Sequence, residues 1–180
     1  MSLTDTSRYI SLLLRHKPQV AGLTLDPHGW VAVDALIAAV NKTHPLTRET
    51  LEEIVRADEK GRYSFSEDGT RIRANQGHSV PVDVGLAKKT PPALLYHGTS
   101  EGSLTAIERE GLLPRSRLYV HLSVDAHTAA RVGARHGKPT VLVVDATKMT
   151  TDGYDFYVSE NGVWLTKAVP PRYLSRLDEK

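Results

Sequence analysis

The sequence predicts an α+β protein made of two small lobes. Its 180 residues suit one domain or two lobes that share an interface. Helical and strand-like patterns both occur along the chain, without an internal repeat. Residues 81–92 hold three prolines and show no clear period, so we interpret them as a linker. The predicted boundaries are therefore residues 1–80 for the first lobe and 93–180 for the second.

The first lobe is predicted to contain three helices and a hairpin. Residues 6–16 place three apolar side chains on one helical face, and Pro18 ends that helix. A short alternating stretch and the turn DPHGW follow, and Asp34 and Thr47 are good N-caps for two further helices. The segments RYSFS and RIRA flank EDGT, which indicates a hairpin. This order of elements is that of a winged helix, a variant of helix-turn-helix.

The second lobe is predicted to mix short strands with helices. A strand at LLYH precedes a helix over residues 101–110, which Gly111 closes. A strand at LYVHLS precedes a helix from Asp125 to about Arg135. The nearly all-apolar TVLVVDA should be a central strand, and FYVS and VWLT should be two more short strands.

Composition and missing motifs argue against several classes of protein. The chain has no cysteine, which excludes disulfides and thiolate metal sites. It lacks a Walker loop, a GxGxxG after a strand, an HExxH and a GxSxG elbow, so we expect no metal and no P-loop, Rossmann or serine-hydrolase site. Its apolar runs are short and its start has no apolar signal core, so we expect no membrane span and a cytoplasmic location.

The distribution of charge is more informative than the net charge of +2. Residues 69–82, 111–124 and 126–144 contain no acidic residue, yet together they hold six arginines, one lysine and four histidines. Gaps of this length also arise by chance. The pattern allows local positive sites without a basic surface.

Four segments could carry chemistry, and each also has a simpler structural explanation. Arg15 and His16 end the first helix, where cations interact well with the helix dipole. Arg71 and Arg73 share one face of a hairpin strand, which could be a solvated face. ANQGHS after that strand makes poor core and offers many hydrogen-bond donors. YHGTS lies between a strand and a helix, and could contact an anion or nucleotide or be an ordinary helix cap.

Several further blocks of the sequence are distinctive as a set. They are LLLRHKP, RIRANQGHS, LLYHGTS, GLLPRSRLYVHLS, the span from Asp125 to Pro139, VLVVDA and SENGVWLTKAVPPRYL. In this order they resemble the RNA 2′-phosphotransferase family (NAD-dependent tRNA 2′-phosphotransferase-like), from about residue 7 to residue 174. Each block is weak alone, but the ordered set is specific. One small departure is Ser116, where the family often has methionine.

The resemblance implies a winged-helix RNA- and phosphate-binding N-terminal lobe and an ADP-ribosyltransferase-like, NAD-binding C-terminal lobe. It implies RNA carrying a 2′-phosphate as partner and NAD⁺ as co-substrate. The 2′-phosphate would attack the nicotinamide ribose and expel nicotinamide. The ribose O2″ would then attack that phosphate, giving 2′-OH RNA and ADP-ribose 1″,2″-cyclic phosphate.

The resemblance also implies which residues form the active site. The family's essential Arg-His pair and its two further arginines correspond to Arg15, His16, Arg73 and Arg135. Arginine suits a phosphoryl transition state because its planar donors match phosphate oxygens and keep their charge. His16 would bind the phosphate or protonate the departing RNA O2′.

A second set of residues is expected to bind the dinucleotide. His97, Gly98 and Thr99 would hold the nicotinamide-side ribose, by the same resemblance. His121 and Ser123 would line the NAD⁺ cleft.

Two alternatives stay open at this point. One is a transferase that leaves ADP-ribose on a protein or on a nucleic-acid phosphate end. The other is a winged-helix nucleic-acid binding module without catalysis. The near-neutral first lobe argues against the second alternative, because duplex binding needs several cations.

Overall fold

A computed structural model describes residues 2–177 and divides the chain into two compact units. The units comprise residues 1–85 and 86–180, so the division falls within the predicted linker. Each unit has its own buried apolar cluster, one centred on residues such as Leu14 and Leu36 and the other on residues such as Val144 and Phe156. The architecture is α+β with small antiparallel sheets.

The N-terminal unit packs three helices against a small sheet. Its α-helices are α1 (Leu3–Arg15), α2 (Val33–Val40) and α3 (Arg48–Ala57), and its strands are β1 (Val31–Ala32), β2 (Tyr63–Phe65) and β3 (Arg71–Ala74). The strands pair in the order β1-β3-β2, all antiparallel.

Local sequence explains most of these elements. Thr47 caps α3 by accepting a hydrogen bond from the Thr50 amide, which confirms that predicted N-cap. The hairpin of β2 and β3 is also confirmed, with Phe65 opposite Ile72. Pro18 starts a short 3₁₀ helix rather than only ending the first helix, because proline fits the first position of a new helix.

The predicted N-cap of the second helix is wrong. Ala32 occupies the cap position and Asp34 lies in the first turn of α2. The reason is that Ala32 still belongs to β1 and the Val33 amide donates to the Thr70 carbonyl, so the strand passes directly into the helix. Asp34 then interacts with the positive end of the helix dipole instead of capping it.

The C-terminal unit contains two antiparallel sheets with short helices. Its strands are β4 (Ala87–Lys88), β5 (Leu94–Ser100), β6 (Val120–Leu122), β7 (Pro139–Asp145), β8 (Tyr157–Val158), β9 (Trp164–Thr166) and β10 (Leu174–Arg176), and its α-helices are α4 (Leu104–Glu110), α5 (Ala126–Gly133) and α6 (Ala146–Thr151). The strands pair in the orders β10-β7-β5 and β4-β8-β9-β6.

The central position predicted for TVLVVDA is confirmed, because β7 pairs with β5 on one side and β10 on the other. The two strands predicted at FYVS and VWLT are confirmed as β8 and β9. Helix α5 ends at Gly133, and residues Ala134–His136 continue as a 3₁₀ helix. Within the described part of this unit, the unpredicted short elements include β4 inside the expected linker, α6, β10 and the 3₁₀ helix Pro171–Tyr173.

Candidate active site

Arg15 is a buried arginine at the end of α1. It is 8% exposed, next to the fully buried Leu13 and Leu14. Its carbonyl accepts hydrogen bonds from the amides of Ser79 and Val80, at 2.9 and 3.4 Å. The segment that follows β3 is thereby tied to the end of the first helix, which brings two distant parts of the sequence together.

Arg73 is the second buried arginine of the N-terminal unit. It lies on the central strand of the sheet, between the fully buried Ile72 and Ala74, and is 9% exposed. Its Nη1 donates to the His28 carbonyl at 3.4 Å. A guanidinium is rarely buried in a small domain, because charged side chains normally remain in contact with water. The burial of Arg73 therefore needs an explanation of its own.

His78 lies among these positive groups. Burial, with the charges of Arg15, His16 and Arg73, lowers its pKa to about 4. The ring is therefore neutral near pH 7, and its Nε2 has no hydrogen-bond partner among residues 2–177. The cluster consequently keeps its positive charge on guanidinium groups, which suits it to bind an anion.

Gly77 lets the loop approach Arg15 closely. Its φ of 86° is in the left-handed region, which glycine adopts without strain. A Cβ at this position would lie 3.2 Å from both Cζ and Nε of Arg15. Glycine therefore both permits the turn and leaves room for the guanidinium.

His16 is linked to the same loop by its side chain. Its Nδ1 and the Ser79 hydroxyl lie 2.9 Å apart in a hydrogen bond. The residue is also the C-cap of α1, as the simpler explanation of its position suggested. The structure thus brings the predicted residues Arg15, His16 and Arg73 together around one loop of the N-terminal unit.

In the C-terminal unit, His97 and Thr99 lie on strand β5. The strand predicted at LLYH extends through the whole YHGTS motif, which was expected between that strand and a helix, and a 3₁₀ helix begins directly after Ser100. The His97 Nδ1–H donates to the His121 carbonyl at 3.0 Å, and burial lowers the His97 pKa. The ring is therefore neutral with Nε2 as the acceptor nitrogen. Thr99 is 8% exposed.

Gly98 fixes the distance between β5 and α5. A Cβ on Gly98 would lie 1.6 Å from the Ala129 carbonyl oxygen, and one on Gly133 would lie 2.8 Å from the Thr99 oxygen. The strand and the helix therefore touch backbone to backbone. The α-carbon of Gly98 faces the helix, which gives this residue a packing role in addition to the binding role predicted for it.

His121 and Ser123 lie beside this strand. Ser123 forms an isolated bridge with Tyr96, through amide-to-carbonyl hydrogen bonds of 2.8 and 2.9 Å. Arg117 donates from Nη1 to the His121 Nδ1 at 3.3 Å, and burial lowers the Arg117 pKa. The structure thus brings the predicted residues His97, Thr99, His121 and Ser123 together in this unit.

Arg135 differs from the other predicted arginines. It lies in the exposed 3₁₀ turn that follows α5, in the C-terminal unit.

Sequence reasoning missed His78, although it named the segment that contains it. It also missed Arg117, which lies in one of the acid-free windows.

Residues 2–177 contain neither a cluster suited to a metal ion nor a helix suited to span a membrane. No set of three or more His, Cys, Asp or Glu side chains there could hold a metal ion. Within the same residues, each helix is too short or too polar to cross a bilayer.

The fold and the two clusters define an α+β protein that groups buried guanidinium groups in one unit and hydrogen-bonded histidines in the other. Known proteins identify the family more specifically than the fold and the clusters do. The family model described as RNA 2′-phosphotransferase, Tpt1 / KptA family, matches residues 2–168. The chain therefore belongs to this family.

Curated relatives match over nearly the full chain. A probable RNA 2′-phosphotransferase of Nostoc punctiforme is 52% identical over 176 residues, covering 97% of each chain. A protein of the same description from Streptomyces coelicolor is 55% identical over 170 residues, covering 93% of this chain and 92% of its own. Another, from Rhodopirellula baltica, is 51% identical over 175 residues, covering 96% and 95%.

Proposed function

We propose that the protein removes an internal 2′-phosphate from RNA with NAD⁺ as co-substrate. The observation that carries this proposal is the grouping of Arg15, His16 and Arg73 around the neutral His78. Membership in the RNA 2′-phosphotransferase family supports the phosphate on RNA as the substrate. The dependence on NAD⁺ rests on the resemblance described above.

The proposed reaction has two steps. In the first, an oxygen of the RNA 2′-phosphate forms a bond to C1″ of the nicotinamide ribose as the bond to nicotinamide breaks. In the second, O2″ of that ribose attacks the phosphorus and the bond to the RNA O2′ breaks. The RNA O2′ takes up a proton, and the other product is ADP-ribose 1″,2″-cyclic phosphate.

The N-terminal cluster suits the phosphate. The first nucleophile is already an anion, so this step needs positioning rather than a general base. The forked donors of Arg15 and Arg73 can bind phosphate oxygens, and burial makes these hydrogen bonds stronger than in water. His16, held by Ser79, would bind the phosphate or supply the proton to O2′.

The C-terminal cluster suits the ribose. The tautomer of His97 is set by its bond to the His121 carbonyl, so its Nε2 can accept a hydrogen bond from a ribose hydroxyl. Thr99 is held near it on the same strand, and His121 and Ser123 would line the dinucleotide site. We assign Arg135 to the phosphoryl group in the second step.

We also propose that the units correspond to a winged-helix lobe and an ADP-ribosyltransferase-like lobe. The N-terminal unit has the order helix, short strand, helix, helix, hairpin. This order is the one that supports the winged-helix assignment. The assignment of the second lobe rests on the family resemblance.

The direct test is to identify the products. The protein is mixed with a short RNA that carries one internal 2′-phosphate, with and without NAD⁺, and with and without EDTA. We expect 2′-OH RNA, nicotinamide and the cyclic phosphate, only with NAD⁺ and regardless of EDTA. Turnover without NAD⁺, or its loss on chelation, would contradict the proposal.

The same experiment separates the alternatives. ADP-ribosylated RNA as the final product would identify a transferase that stops after the first step. Binding of RNA without any product would identify a non-catalytic module. An RNA with a 2′-hydroxyl in place of the phosphate is the matched control and should give no nicotinamide.

The roles of His16 and Arg135 can be tested by separating the two steps. The second step concentrates negative charge on the phosphoryl oxygens, whereas the first disperses charge from the phosphate. We therefore expect His16→Ala and Arg135→Ala to slow the second step more than the first. Quenched time courses with labelled RNA should show ADP-ribosylated RNA accumulating while nicotinamide release continues. Equal loss of nicotinamide release with no intermediate would assign both residues to phosphate binding for the first step.

A further inference from the structure

We propose that Trp30 is a positioning residue that orients the guanidinium of Arg73 for the substrate phosphate. The inference rests on the proposed function, in which Arg73 binds the 2′-phosphate of the RNA. Its basis is the stacking of arginines on the Trp30 indole and the hydrogen-bonded turn from which this indole projects.

The turn from Asp26 to Trp30 is fixed by hydrogen bonds within five residues. The Asp26 carboxylate accepts from the amides of His28 and Trp30, at 2.8 and 2.9 Å. The Asp26 amide donates to the Trp30 carbonyl at 2.9 Å, and the Gly29 amide donates to the Asp26 carbonyl at 3.0 Å. These bonds define the path of the backbone, and so the position from which the Trp30 side chain projects.

The indole lies against two arginines of strand β3. Cζ of Arg73 is 4.4 Å from the ring centroid of Trp30, and Cζ of Arg71 is 5.3 Å from it. Alternate residues of a strand point to the same face, which explains why both reach one ring. Arg73 is the closer and the more buried, so its cation–π interaction is the stronger of the two.

The same turn contributes a second contact to Arg73. The His28 carbonyl accepts a hydrogen bond from its Nη1 at 3.4 Å. The guanidinium therefore meets an aromatic face and a carbonyl from a single rigid segment. Arg71, by contrast, also forms an ion pair with Asp26 at 3.6 Å and is about half exposed.

An indole suits this task for a chemical reason. A free arginine side chain has several rotatable bonds, so fixing its plane before the substrate arrives lowers the entropic cost of binding. A carboxylate could also hold the guanidinium, but its negative charge would repel a phosphate. The face of an indole orients the cation and carries no net charge.

The first experiment compares Trp30→Phe and Trp30→Leu with the wild-type chain. Loss of a desolvated cation–π contact should lower kcat/KM for the 2′-phosphorylated RNA about 5- to 30-fold in Trp30→Leu. Trp30→Phe keeps an aromatic face and should lose less. The KM for NAD⁺ should stay unchanged in both variants, and thermal melts should show that both are folded.

A double-mutant cycle distinguishes positioning from a general effect on structure. The affinity for the 2′-phosphorylated RNA is measured by titration for Trp30→Leu, Arg73→Ala and the double variant. If Trp30 acts through Arg73, adding Trp30→Leu to Arg73→Ala should change the affinity less than twofold. If Trp30 only supports the fold, the two losses should multiply.

The result for the wild-type chain separates the two proposals. If the wild-type chain does not act on 2′-phosphorylated RNA, the proposed function fails and this inference fails with it. If the wild-type chain is active and Trp30→Leu keeps its kcat/KM within twofold, or the losses multiply, only the positioning role is overturned. Should Trp30→Leu be unfolded, Trp30→Phe takes its place in the cycle. Its loss of affinity should vanish on the Arg73→Ala background, and persistence there would overturn the inference.

Discussion

The two units of the molecule each hold a histidine with a lowered pKa, the buried His78 in one and the half-buried His97 in the other, but the groups around the two rings differ. In the N-terminal unit, burial and three neighbouring positive charges lower the pKa of His78 to about 4. In the C-terminal unit, burial lowers the pKa of His97, while its hydrogen bond to the His121 carbonyl opposes that shift and fixes the ring. His78 is surrounded by cationic side chains, whereas His97 is oriented by its hydrogen bond to a backbone carbonyl.

This difference gives the two units of one small chain different binding chemistry. The N-terminal unit concentrates permanent positive charge, which interacts strongly with a phosphate. The C-terminal unit offers oriented, neutral hydrogen-bonding groups, which suit sugar hydroxyls. The difference between the units can be tested by substitutions in each of them.

The largest effect is expected from removing a buried guanidinium. Arg15→Ala or Arg73→Ala should lower the rate of 2′-phosphate removal on the order of 100- to 1000-fold, by analogy with a lost oxyanion donor. Steady-state assays of the purified variants measure this loss. Arg56→Ala, which changes an exposed arginine of α3, is the control and should keep wild-type activity. A loss of less than tenfold in both buried variants would show that the charge is not essential.

The next effect concerns the packing of the C-terminal unit. Gly98→Ala places a methyl group into the Ala129 carbonyl oxygen, and backbone atoms cannot move aside as a flexible side chain can. We expect the free energy of unfolding in urea to fall by about 3 kcal/mol or more. Gly102→Ala, where a Cβ meets no atom within 4 Å, is the matched control and should leave stability unchanged or slightly higher. Equal stability of the two variants would refute the close contact of β5 with α5.

A smaller effect should appear in the pH dependence of stability. The pKa of His78 is lower in the folded chain than in the unfolded one, so the folded chain binds fewer protons between pH 6.5 and 4. The free energy of unfolding should therefore fall as the pH decreases through this window, by up to about 3 kcal/mol from His78. His78→Gln should flatten the curve in urea titrations at several pH values. His127→Gln, an exposed residue of α5, should leave it as steep as in the wild type.

The elements with a strong local signal could be predicted from the sequence. Thr47 identified the start of α3, and the turn residues between RYSFS and RIRA identified the hairpin. The short strands β4 and β10 could not be predicted in this way. Each is stabilised by pairing with a distant partner, β8 or β7, and has no periodicity of its own.

The candidate site, too, could be predicted from the sequence only in part. The resemblance supplied Arg15, His16 and Arg73, and the structure places them around one loop. The importance of His78 and Trp30 depends on burial and stacking, which no spacing in the sequence reveals. The predicted strand LLYH stopped at His97 because Gly98 and the polar residues after it are typical of loops, whereas here glycine allows the strand to continue and to touch α5.

The measurement that most directly tests the division between the units is a comparison of two RNAs. Equilibrium titrations measure the Kd of a short RNA with an internal 2′-phosphate and of the same RNA with a 2′-hydroxyl. We expect the wild-type chain to bind the phosphorylated RNA more tightly, and we expect Arg73→Ala to abolish most of this difference. His97→Ala should preserve the difference while weakening the binding of NAD⁺. A difference that survives in Arg73→Ala, or that disappears in His97→Ala, would contradict the assignment of the phosphate to the N-terminal unit.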